Sequence, residues 1–132
     1  MTATKTIKQT VKIKATPQQV YDALMDTKKH TKFTGAPAKI NKKIGGSFTC
    51  YDDYIQGINL ELEPGELIVQ AWRSKGWPKG HYSTVSFQLS KVGSDKTKIV
   101  FTHRGVPSKD VKDKSKGWET HYWTPLKAML EN

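Results

Sequence analysis

From residue 38 onward the hydrophobic period of this chain changes once, at Gly105-Val106-Pro107. Before that point apolar side chains recur at every second residue, in short runs broken by Gly, Pro and Asp; after it they recur every three to four residues. A chain patterned this way builds strands joined by tight turns and then lays down one helix. Strands connected so closely pair antiparallel, and the helix buries its apolar stripe by closing one face of their sheet.

The runs can be placed one by one. Residues 38–42 read as a short strand, and Gly45-Gly46 permits a tight reversal into a strand over 48–51. Ile58, Leu60 and Leu62 alternate with Asn59, Glu61 and Glu63, the period of a strand, and Pro64-Gly65 has the residue order of a type II turn. Strands follow over 67–73, 82–90 and 97–104, the last two turned at Gly93-Ser94-Asp95. Beyond Pro107, Trp118, Tyr122, Leu126, Met129 and Leu130 share one helix face, with Lys116, Glu119, Thr120 and Lys127 off it. Pro125 removes one backbone donor and predicts a kink near His121.

Ahead of this meander, Ile7, Val11 and Ile13 share one parity and Lys8, Lys12 and Lys14 the other, which is a half-buried strand. Thr16-Pro17-Gln18-Gln19 opens a helix with a capping box, and Val20, Tyr21, Leu24 and Met25 form its apolar face. A second short helix is expected from a cap at Thr27, burying Phe33 and ending at Gly35-Ala36-Pro37. The expected fold class is therefore α+β: a strongly curved antiparallel sheet of about six or seven strands wrapped around a long C-terminal helix, with two short helices after the first strand. At 132 residues the chain is one domain, spanning 1–132, and thirteen Trp, Tyr and Phe residues supply its core.

The single cysteine, Cys50, excludes an internal disulfide and any multi-cysteine zinc site, and suits a reducing cytosol. No run of about 18 apolar residues is present, and the first fourteen residues carry four lysines without an apolar block, so neither a membrane span nor a secretory signal is expected and the localisation reads as cytoplasmic. Net charge is +10, distributed as +8 over 1–51, −5 over 52–66 and +7 over 67–132. That balance favours an acidic partner. The acidic stretch interrupts any continuous basic stripe, and the long helix should cover the sheet face on which single-strand binders stack bases, so no nucleic acid is expected.

Little in the chain argues for bond chemistry. His30, His81, His103 and His121 have no metal-ligand spacing, Cys50 reads as a small core residue, and Asp52-Asp53 as solvated turn carboxylates. Gly45-Gly46 lacks the lysine and hydroxyl of a phosphate loop. The expectation is a protein that is not an enzyme and uses no metal or cofactor. The segment over 71–84 stands apart, because it sets Trp72, Trp77, Arg73, Lys75 and Lys79 on one connection stiffened by Pro78. An exposed Trp beside basic residues is the composition of an interface hot spot, while the same indoles could instead anchor a long hairpin to the core.

At this segment the chain resembles a known family. Trp72-Arg73, Trp77-Pro78, Gly80-His81 and Ser83-Thr84 are similar to the domain of the activators of heat-shock protein 90 ATPase (Aha1-type). Further matches run in the same order: Tyr21; Phe33 with Ala36-Pro37-Ala38; Gly45-Gly46 with Phe48; Gly57; Pro64; Gly105-Val106-Pro107; and Gly117-Trp118 with Tyr122. The resemblance covers about residues 6–130 and implies the helix-grip fold shared with Bet v 1 and START proteins. It implies a co-chaperone of the stress response that binds heat-shock protein 90 and favours its closed, ATPase-competent state, doing no chemistry of its own. In the two-domain eukaryotic activators this unit follows a separate N-terminal domain, and the chain is expected to begin at the first strand of the second unit, as a monomer. Arg73, Lys75, Trp77, Lys79 and His81 are then the expected partner contacts. The alternative is a carrier of an apolar small molecule, in a cavity lined by Trp72, Val85, Phe87, Phe101, Trp118, Tyr122 and Leu126 unless those side chains fill the space completely.

Overall fold

Ile7, Val11 and Ile13 point inward from the first strand, β1 (Thr4–Ile13), while Lys8 and Lys12 stay in solvent. The computed structural model describes residues 3–131. Helix α1 (Pro17–Met25) opens with the expected capping box: the Gln19 amide donates to Thr16 Oγ1 at 3.1 Å and the Thr16 amide to Gln19 Oε1 at 2.8 Å. Helix α2 (Thr27–Thr34) is capped by Asp26 rather than by Thr27. The Asp26 carboxylate accepts from the Lys29 amide at 3.0 Å, and that bond, with help from Lys42 at 3.2 Å, holds its pKa below the ordinary value. Thr27 is one residue too late to cap. Its hydroxyl accepts instead from the Ile40 amide at 2.9 Å and so fastens α2 to the sheet. Gly35 ends α2 in the left-handed conformation.

Six more strands follow: β2 (Ala38–Ile40), β3 (Ser47–Cys50), β4 (Ile55–Glu63), β5 (Leu67–Ser74), β6 (Ser83–Val92) and β7 (Lys96–Pro107). They form one seven-stranded antiparallel sheet in the order β1-β7-β6-β5-β4-β3-β2, a plain meander to whose last strand β1 is added. The turn between β4 and β5 is type II as expected, with Gly65 at φ 74° and the Glu66 amide bonded to the Glu63 carbonyl at 2.8 Å.

Two strands depart from the pattern read in the sequence. β3 stops at Cys50, because Tyr51, Asp52 and Asp53 all adopt positive φ (52°, 54° and 68°) and turn the chain back. In β4, Ile58 and Leu60 lie 43% and 46% exposed and the inward positions are Ile55, Gly57 and Asn59. Asn59 decides this parity. Its Nδ2 donates to the carbonyls of Asn41 (2.6 Å) and Lys43 (3.2 Å), and its Oδ1 accepts from Gln70 at 3.1 Å, so a fully buried amide secures the loop between β2 and β3. A bulge between Asn59 and Glu61 then returns Leu62 to the inner side. Gly57 must be glycine: an added Cβ would lie 2.0 Å from the Ala71 carbonyl oxygen and 2.6 Å from the Phe48 ring that crosses it.

The C-terminal element is α3 (Val111–Trp118), one π-helical turn over Glu119–Trp123, and α4 (Thr124–Leu130). The π turn is how the helix accommodates Pro125. Proline cannot donate to the His121 carbonyl, and the Tyr51 hydroxyl donates to that carbonyl instead, at 3.1 Å. Two successive rings of this turn, Tyr122 and Trp123, are both buried. Trp118 sits at the centre of the core, with ring centroids 4.5 Å from Phe101, 4.6 Å from Tyr122 and 5.6 Å from Trp72. Among the described residues no helix is long and apolar enough to cross a membrane.

Candidate functional site

The connection between β5 and β6 is tied down from three sides. Arg73, at the end of β5, donates from its guanidinium to the carbonyls of Pro78 (2.8 Å), Trp77 (3.1 Å) and His81 (3.2 Å), so one planar donor group gathers the whole loop. The Trp77 indole donates to Asp110 Oδ2 at 2.6 Å and packs on Trp72 at 5.6 Å. His81 Nε2 donates to the Gly105 carbonyl at 2.8 Å, and the Lys75 amide to the Tyr54 carbonyl, also at 2.8 Å.

Of the two roles open to the Trp77 indole, exposed hot spot or anchor of the hairpin, these bonds select the anchor, so it is not the exposed contact expected. Trp77 is 6% exposed, an anchor between β5 and the turn before α3, because Asp110 and Trp72 offer it both a polar partner and an aromatic wall. Arg73 and His81 are half-buried and committed to backbone carbonyls. Of the five residues expected at the rim, Lys75 and Lys79 stand in solvent, on a loop held rigid by the other three.

Beneath the loop runs a buried polar relay. The Trp118 indole, a donor only, gives its hydrogen to His103 Nδ1 at 3.0 Å. The other ring nitrogen, Nε2, must then carry the proton and donates to Ser83 Oγ at 2.7 Å, leaving the serine hydroxyl to donate to the Trp72 carbonyl at 2.9 Å. Every member is satisfied, and α3 is thereby joined to β7, β6 and β5. Burial, and next the charge of Lys114, push the His103 pKa down to about 3, so the ring is a neutral connector. A second buried group joins His30 Nε2 to the Tyr122 hydroxyl at 2.8 Å, beside Cys50. Burial lowers His30 to about 4 and raises the Cys50 thiol to about 12, which leaves no thiolate for nucleophilic attack. Among the described residues no three His, Cys, Asp or Glu side chains converge as metal ligands would.

Between the 51–55 turn, β5 and the C-terminal helix lies a cleft of about 430 Å³. Trp72, Trp118 and Tyr122 line it. Val85, Phe87, Phe101 and Leu126 do not border it; they are packed solid in the core, with Phe87 and Phe101 at 5.2 Å. The remaining wall was not foreseen: Tyr51, Tyr54 and Ile55 on one side, Asp113, Lys114, Gly117 and His121 on the other. One signal was available. Lys114 lies four residues before Trp118 and eight before Tyr122, on the apolar stripe of the helix, where a lysine is out of place.

Comparison with known proteins agrees with this architecture. Residues 14–131 match the family described as Activator of Hsp90 ATPase homolog 1-like protein. The chain is 32% identical over 124 residues to the activator of 90 kDa heat shock protein ATPase homolog of Dictyostelium discoideum, covering 94% of this chain and 32% of that protein. It is 30% identical over 114 residues to homolog 1 of Homo sapiens, covering 86% of this chain and 33% of the relative. The chain thus spans about a third of the length of the curated relatives it matches. Among solved structures, an HSP90 activator from Plasmodium falciparum superposes with a TM-score of 0.89 at 23% identity, over 96% of both chains. The Aha1 dimer from Colwellia psychrerythraea does so with 0.81 at 20%, over 96% of each.

Proposed function

Because this chain belongs to the Activator of Hsp90 ATPase homolog 1-like family, we propose that it acts as a cytosolic co-chaperone that binds the Hsp90 chaperone and favours its closed, ATPase-competent conformation. The observation that carries this reading is the clasped loop. Arg73 fixes three carbonyls of one short connection, so Lys75 and Lys79 are presented from a backbone that is ordered before any partner arrives. A preorganised pair of cations loses little entropy on meeting an acidic protein face, and complementary charge there raises the association rate. No side chain of the protein has to react. Regulation needs only that one conformation of the chaperone be bound more tightly than another; a tenfold preference is worth about 1.4 kcal/mol.

The test is an equilibrium titration of the purified chain against purified Hsp90, with ADP and with a non-hydrolysable ATP analogue. Tighter binding to the ATP-analogue form, weakened by added salt, is the expected result. Equal affinity for both forms would remove the conformational mechanism, and absence of binding at tens of micromolar would remove the co-chaperone reading.

A second reading has an observation of its own. The cleft of about 430 Å³ falls within the roughly 300–1,000 Å³ of small-molecule sites, and its walls are mainly aromatic, which suits carriage of an apolar small molecule.

A further inference from the structure

Lys114 is the anomaly of the cleft. The residue is 8% exposed, yet among the described residues its Nζ has a single anionic neighbour, Asp113 Oδ2 at 3.4 Å, and that carboxylate side chain is 78% exposed. Its other contact is the Tyr54 ring, 5.4 Å from the ammonium. An ammonium has three hydrogens to donate, and a buried charge left with unfilled donors is costly unless something completes its coordination.

Gly117 adds an independent observation. It sits inside α3, where glycine is less favourable than alanine. Packing does not demand it: an added Cβ would meet nothing nearer than His121 Cδ2 at 3.9 Å. What its missing side chain leaves is open space at the cleft wall, one turn from Lys114 and beside Trp118. Across the cleft, Tyr51 and Tyr54 are carried by the turn whose three successive residues hold positive φ, a conformation kept at a cost by non-glycine residues.

We propose that this cleft binds a small aromatic carboxylate, with its ring between Tyr54 and the packed Trp72–Trp118 pair and its carboxylate on Lys114. The volume of about 430 Å³ admits a one- or two-ring compound, the aromatic walls match its faces, and the Lys114 ammonium at the cleft wall, beside a largely exposed Asp113, favours an acid over its neutral analogue. The inference rests on the cleft-binding reading and is independent of the chaperone reading. The Trp72–Trp77 contact and the bond from the Lys75 amide to the Tyr54 carbonyl place the occupant directly behind the clasped loop.

The probe is 2-naphthoate, with neutral 2-naphthamide as its near-isostere, read by quenching of the tryptophan fluorescence at 0.15 M salt. One-to-one saturable binding is expected, at least about tenfold tighter for the acid. Lys114→Met, which keeps the apolar stem, should lower naphthoate affinity by about tenfold or more and leave naphthamide unchanged. Gly117→Leu should abolish binding of both while circular dichroism and thermal midpoint stay native. Equal affinities for acid and amide, or an unaffected Lys114→Met, would overturn the carboxylate assignment and leave an apolar cleft. Failure of both probes to bind at millimolar concentration, or binding undiminished by Gly117→Leu, would overturn the cleft itself.

Discussion

His30 and His103 show how far burial reaches into single residues. Both rings are held neutral, with pKa values lowered to about 4 and about 3 by burial, against an unperturbed value near 6.5. Below about pH 6.5 the unfolded chain takes up protons that the folded chain does not, so their contribution is full above that pH and is lost as the pH falls towards 4. Each should lower stability by roughly 1 kcal/mol per pH unit in that window. Urea denaturation at pH 7 and pH 5 checks this: a clear loss at pH 5, lessened in slope by His103→Gln, is expected, and identical stabilities would contradict the assignment. At this scale the sequence was partly legible. The capping box at Thr16 follows from residue types alone, whereas the cap at Asp26 and the burial of Trp77 did not. An indole beside lysines looks the same whether it tips an interface or anchors a hairpin, and only the distant Asp110 decides between them.

The elements themselves were largely visible, because the change of hydrophobic period separates sheet from helix at Pro107. Two features were hidden for the same reason, a polar group serving a remote loop. Asn59 turns β4 so that Ile58 and Leu60 face solvent, in order to reach the carbonyls of Asn41 and Lys43. Pro125 was expected to kink the helix, and the chain answers with a π turn whose freed carbonyl is taken by Tyr51, 70 residues away in sequence. The β5–β6 connection makes a prediction of its own. Arg73→Ala would leave three carbonyls without their shared donor, costing about 1–3 kcal/mol and releasing the loop. Hydrogen exchange should then quicken selectively at the amides of 75–81, with β6 and β7 protected as before. Uniform exchange across the sheet would show that Arg73 acts on the fold and not on the loop.

Across the whole molecule, charge is the dominant property left unspent. Against 22 Lys and Arg residues, the described part of the chain holds two ion pairs within 4 Å, and one of those is Lys114 with Asp113. Lys12 stands opposite Lys98 in the register of β1 and β7. The acidic residues Glu63 and Glu66 lie at one end of β5 and Lys75 follows the other, some eight residues away. At about 3.3 Å per residue that is about 25 Å, well beyond the screening length of about 8 Å at physiological salt, so Glu63 and Glu66 do not neutralise the loop; Asp52 and Asp53 lie nearer, in the turn whose Tyr54 carbonyl accepts the Lys75 amide. The positive charge was legible as a total in the sequence; the rigid presentation of Lys75 and Lys79 needed the contacts of Arg73 and Trp77. We propose that this loop works by charge on Hsp90. The most direct test is the steady-state ATPase rate of purified Hsp90 with excess chain, for the natural protein and for the Lys75→Glu/Lys79→Glu double variant. The account predicts stimulation that rises to saturation and shrinks severalfold in the double variant, with the variant's thermal midpoint unchanged; equal stimulation by both proteins, or none by either, would contradict it.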